Sequence, residues 1–109
     1  MKELYYVEVV DKRIDLDPPY VWQSVVFDSK SEAIEFGIKV KEEFKKGNAD
    51  ILFSRKNCDY LNPQWENFFK HELPNNRKGI KSNLKVRIMT MEFDESETEY
   101  EIGYVKEIK

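Results

Sequence analysis

Residues 27–47, Phe27-Asp28-Ser29-Lys30-Ser31-Glu32-Ala33-Ile34-Glu35-Phe36-Gly37-Ile38-Lys39-Val40-Lys41-Glu42-Glu43-Phe44-Lys45-Lys46-Gly47, decide the fold. Ser29 with Glu32 three positions on is a capping box, in which a hydroxyl and a carboxylate satisfy backbone N–H groups at a helix start. Ala33, Phe36, Gly37, Val40 and Phe44 then recur at helical spacing, with Ile34 and Ile38 beside them. Glu32, Glu35, Lys39, Glu42, Glu43 and Lys46 fall on the other side. Lys45 and Lys46 sit where the helix dipole favours cations, and Gly47 stands at the position where a left-handed residue ends a helix. The spacing predicts a helix over 30–46, with Ala33, Phe36, Val40 and Phe44 packed on a sheet.

Upstream, residues 3–14 read as a strand. Tyr5, Val7 and Val9 share one face and Leu4, Tyr6, Val10 and Ile14 the other, so a central or two-sided strand is expected. Asp15 to Pro19 breaks the pattern, and Tyr20 to Phe27, rich in aromatic and β-branched residues, completes an antiparallel hairpin. Downstream, Ile51-Leu52-Phe53 is expected to be a brief strand. Asn62 and Pro63 open a second, short helix carrying Trp65, Phe68, Phe69 and Leu73, which Pro74 ends. Alternation then predicts a strand over 84–93, a turn at 94–97 and a final strand through Tyr100, Ile102, Tyr104 and Ile108. The expected fold is α+β: a single domain over 1–109 in the order β-β-α-β-α-β-β, an antiparallel sheet with one main helix on one face.

Composition narrows the function. The chain has 109 residues, of which 40% are hydrophobic, 36% charged and 14% aromatic, with four glycines and four prolines. This excludes collagen, low-complexity disorder and a disulfide scaffold. A single cysteine, Cys58, forms no internal disulfide and anchors no zinc site. The first ten residues lack the apolar core of a secretory signal, and no apolar run is long enough to span a membrane, so a cytoplasmic protein is expected. The net charge of −3 is too small to mark a strong nucleic-acid binder. Its distribution is uneven: residues 55–87 hold eight Lys/Arg against three Asp/Glu, whereas residues 92–109 hold seven Asp/Glu against two Lys.

Catalytic signatures are missing. The lone histidine, His71, lies between Lys70 and Glu72 in the aromatic segment, and Cys58 has no histidine partner in a recognisable pattern. No glycine-rich nucleotide loop and no nucleophile elbow occurs. Asp15-x-Asp17 lacks the rest of a calcium loop, and the carboxylates at 92–97 read as a solubilising hairpin tip rather than a metal site. The expectation is a protein without catalytic group, metal or cofactor. Because one helix covers one sheet face, Tyr5, Tyr6, Tyr20 and Trp22 are not all expected to be buried, and exposed aromatics on a sheet suit a protein partner or single-stranded nucleic acid.

The segment Phe27-Asp28-Ser29-Lys30-Ser31-Glu32-Ala33, following a hairpin and opening a helix with a lysine-rich end, resembles small accessory proteins of phages and mobile elements from AT-rich Firmicutes, of which anti-CRISPR inhibitors of Cas9-type effectors are the best-known members. The resemblance implies a non-enzymatic protein, monomer or homodimer, that binds and inhibits a host protein such as a nucleic-acid-handling defence nuclease. The acidic C-terminal hairpin is then the expected contact, through Asp94, Glu95, Glu97, Glu99 and Glu101, against a basic partner surface. The alternative is a small nucleic-acid-binding module using the aromatic sheet face with Arg77, Lys78, Lys81, Lys85 and Arg87 on phosphates.

Overall fold

The computed structural model describes residues 2–11, 21–54, 56–58, 84–94 and 99–109. The strands are β1 (Lys2–Asp11), β2 (Val21–Gln23), β3 (Leu84–Asp94) and β4 (Glu99–Ile108), and the helix α1 is Lys30–Lys45. They build one antiparallel sheet in the order β2-β1-β3-β4, with α1 on one face. The α+β class and the single main helix are therefore as the sequence implies. The expected helix over 63–73 lies outside the described residues.

β1 is central, which is why both of its faces are apolar. It pairs with β3 over its whole length, from Lys2 opposite Phe93 to Asp11 opposite Leu84. Val7 and Val9 face α1 and are fully buried, as are Leu84, Val86 and Ile88 beside them on β3. α1 begins with the hydroxyl half of the capping box, the Ser29 Oγ accepting the Glu32 N–H at 3.1 Å. It ends at Gly47, whose φ of 77° is the left-handed conformation that glycine adopts freely. Ala33, Gly37, Val40 and Phe44 form its buried stripe.

Three expectations change in detail. Phe36 packs against the core only from its margin, unlike the other three; it is half-buried, with its ring tilted against the Phe27 ring at 5.5 Å. Gly37 takes the sheet-facing place, because a Cβ there would come within 2.9 Å of Ile88 Cδ1 and 3.2 Å of Ile108 Cγ1. Residues 50–53 are a 3₁₀ helix, not a strand. Three apolar residues carry no period of their own, and the Asn48 Oδ1 accepts the Asp50 N–H at 3.0 Å, which starts a turn. Leu52 is buried, and its carbonyl accepts the Trp22 indole N–H at 3.0 Å.

The strand expected over 20–27 is the third change. It pairs only over Val21–Gln23, leaves the ladder, and touches β1 again where Phe27 bridges Tyr5. Ser24 is the cause. Its hydroxyl accepts the Val7 N–H at 2.8 Å, while the next amide, Val25 N–H, turns away to the Asn57 carbonyl. Cys58 is buried next to this break, with its S–H directed at the Gln23 carbonyl.

Candidate functional site

The register of β1, β3 and β4 brings together three carboxylates, one of them far from the other two in the chain. Glu3 lies opposite Glu92, and Glu92 lies opposite Glu101, so the three form one lateral row across three neighbouring strands. The row is on the helix side of the sheet, two positions beyond Tyr5 and Thr90 and past the edge of the packed core. The Tyr5 hydroxyl donates to the Glu3 carboxylate at 3.1 Å. That bond, lost if the phenol ionises, raises the Tyr5 pKa.

Glu92 sits in the middle of the row, and its pKa is raised. The largest cause is a hydrogen bond to Glu3 that favours the protonated form; desolvation and the negative charges of Glu3 and Glu101 add to it. The native state therefore holds a proton at Glu92 more tightly than the unfolded chain does. The stabilisation this gives is fully present below the ordinary carboxylate pKa of about 4.3 and is lost as pH rises through the raised native value. Glu92→Gln is expected to melt higher than the parent at neutral pH and low salt, with the advantage shrinking as the buffer is brought to about pH 4. Thermal unfolding of both proteins across that range checks it; an advantage independent of pH removes the repulsion from the explanation.

Of the expected acidic contacts, Glu101 is exposed in this row. Asp94 and Glu99 are opposite one another in the β3–β4 register, next to the row. Glu95 and Glu97 lie outside the described residues. Glu3 and the part played by Glu92 were missed in the sequence. Glu92 belongs to the acidic stretch of 92–101, but Glu3 is far from it in sequence, and only the pairing of residue 3 with residue 92 joins them.

The basic residues are placed differently from the acidic ones. Arg77, Lys78 and Lys81 lie outside the described residues. Arg87 donates to Glu8, its partner across β1–β3, and Lys85 pairs with Glu107 at 3.2 Å. Glu8 is 7% exposed, a carboxylate buried on the face away from α1. Lys85 and Arg87 thus serve as partners for acids of the same sheet.

Of the four aromatics of the first hairpin, Tyr6, on that second face, and Trp22, on the α1 side, are buried, whereas Tyr5 is half-buried at the margin of the core; Tyr20 lies outside the described residues. Among the described residues, the large exposed aromatic is Tyr104 on β4, 60% exposed, beside Ile102 at 53%. Tyr6, Gln23, Ser24, Val26, Met91 and Ile102 line a shallow open groove of about 280 Å³ there.

Among the described residues, no three His, Cys, Asp or Glu side chains are grouped so as to hold a metal ion, and no helix is long and apolar enough to cross a membrane. No family model, no curated protein and no solved structure matches the chain.

Proposed function

We propose that the protein is a non-catalytic inhibitor that binds a basic surface of a host protein, of the kind a nucleic-acid-handling defence nuclease presents. The observation that supports this is the Glu3–Glu92–Glu101 row. Three like charges side by side on adjacent strands repel, and fold stability is better served by mixed charges at such positions. A basic partner surface relieves the repulsion, and the field of the row accelerates encounter. The alternative, phosphate binding through residues 77–87, is weakened by the internal pairing of Lys85 and Arg87.

The test uses a Cas9-type effector as the probe, the class of partner that the Phe27–Ala33 resemblance implies. The protein is expected to protect a target plasmid from interference in cells and to bind the purified effector. Its association rate should fall about tenfold from low to physiological salt, as the Debye length shortens to about 8 Å. Glu92→Lys places an ammonium between Glu3 and Glu101, so the variant should fold at least as stably yet associate about tenfold more slowly. Absence of both protection and binding overturns the inhibitor reading for this effector class. Retention on heparin at neutral pH turns the reading toward nucleic acid.

A further inference from the structure

β4 is an edge strand. Among the described residues it pairs with β3 on one side and with no strand on the other, and it runs for ten residues. Edges of this length are usually shortened, covered or charged along their length, because their free N–H and C=O groups accept another strand. The charges on β4 are arranged in a particular order. Glu99 and Glu101 stand in its first half; Lys106 stands in its second beside Glu107, whose carboxylate is paired with Lys85 of β3, and Lys109 follows the end of the strand. Laid antiparallel on a second copy of itself, such a strand can set Lys106 against Glu101.

We propose that two copies of this chain associate by pairing β4 with β4 antiparallel, about a two-fold axis through Gly103. This register follows from the β-bulge. Ile88 pairs with Lys106 but Met89 pairs with Tyr104, so Val105 is the extra residue and Val105 and Lys106 together oppose a single partner. With Gly103 on the axis, Ile102 of one copy meets Tyr104 of the other, twice. Both belong to the face away from α1, and both are more than half exposed in the single chain. Pairs of an aromatic with a β-branched residue are among the favourable cross-strand contacts. On the other face Glu101 comes opposite the Val105–Lys106 bulge of the second copy. Its exposed carboxylate and the exposed Lys106 ammonium then form two symmetric ion pairs across the junction.

A bulge on an edge normally discourages pairing; here it sets the lysine opposite the glutamate. Because the axis is perpendicular to the sheet, the result is a continuous eight-stranded sheet with both helices on one side, an isologous dimer. The association concerns the β4 edge and shares only Glu101 with the acidic row, Glu3 and Glu92 staying outside it; its readout, the mass of the chain in solution without any host protein, is separate from host-protein binding, so either proposal can fail alone.

The test is the mass of the full chain in solution by sedimentation at concentrations up to about 100 µM, where an interface worth a micromolar affinity is filled. The expected species is twice the 13.1 kDa chain. Glu101→Lys alone and Lys106→Glu alone should each weaken association about tenfold or more, because each replaces two attractions by two repulsions. The double variant carrying both changes should regain it. Amide exchange at 101–105 should be slower in concentrated than in dilute protein. A monomer throughout the range overturns the proposal, and so does a dimer whose strength ignores the two single variants.

Discussion

Truncating Phe44 to alanine is expected to cost about 3–5 kcal/mol of stability, the usual loss when a buried phenylalanine is removed. Phe44 is 1% exposed and belongs to the core cluster with Val40, Leu52 and the β1 and β3 valines. It sits in the last turn of α1, one helical turn beyond Val40, where the helix end meets the 3₁₀ turn at residues 50–53. Removing the ring leaves a void that cannot close without moving both α1 and Leu52. The Leu52 carbonyl already holds the Trp22 indole, so the neighbouring backbone is fixed from a second direction. Urea unfolding measures the loss. A change below about 1 kcal/mol means that the core collapses onto the space, and the helix end is then less firmly anchored than the burial of Phe44 implies.

The second large effect is expected at Arg87. The Arg87 guanidinium serves the Glu8 carboxylate, which is buried on the face of β1 opposite α1. In Arg87→Ala that carboxylate is left desolvated with no cation, which typically costs about 3–5 kcal/mol; the partial exposure of the Arg87 side chain places the expected loss near the lower figure. Replacing both members, as in Glu8→Leu with Arg87→Leu, is expected to recover most of it, since an apolar pair of similar volume often matches a buried ion pair in stability. Denaturant midpoints for the single and double variants separate the two cases. A single variant as stable as the parent shows that water reaches Glu8. The neighbouring Lys85–Glu107 pair, more open to solvent, should contribute less than about 1 kcal/mol.

The elements legible in the sequence are those whose signal is local. The capping box at Ser29 and Glu32, the stripe from Ala33 to Phe44 and the terminating Gly47 are all contained within a few turns, and α1 follows them to within a residue. Alternation at 84–94 and 99–108 is equally local, and the two-sided apolar character of β1 carries its central position. What escaped depends on long-range geometry. Residues 51–53 are too few to show a period, and a turn begun by the Asn48 side chain decides their form. The break after Gln23 depends on a hydroxyl that reaches across to β1.

The acidic row escaped for the same reason. A search for charge along the chain finds the cluster at 92–101, because those residues are neighbours in sequence. It passes over Glu3, which becomes their neighbour only when β1 pairs with β3 in one register. A one-residue slip would send Glu3 to the opposite face. Glu8 was overlooked in the same way: nothing in Tyr6-Val7-Glu8-Val9 shows that its acid is buried or that its cation comes from residue 87.

The central place of β1 has a consequence for synthesis. β1 is completed by a strand translated long after it, since Asp11 pairs with Leu84 and Lys2 with Phe93. At about 5–20 residues per second, roughly 4–15 s pass between translation of the end of β1 and the start of β3. Until then the ribosome carries an apolar strand with an open flank, and α1 has half a sheet to sit on. Chain elongation, more than any local step, therefore sets the earliest moment at which this protein becomes native, and its exposure to chaperones and to wrong strand partners is concentrated in that interval.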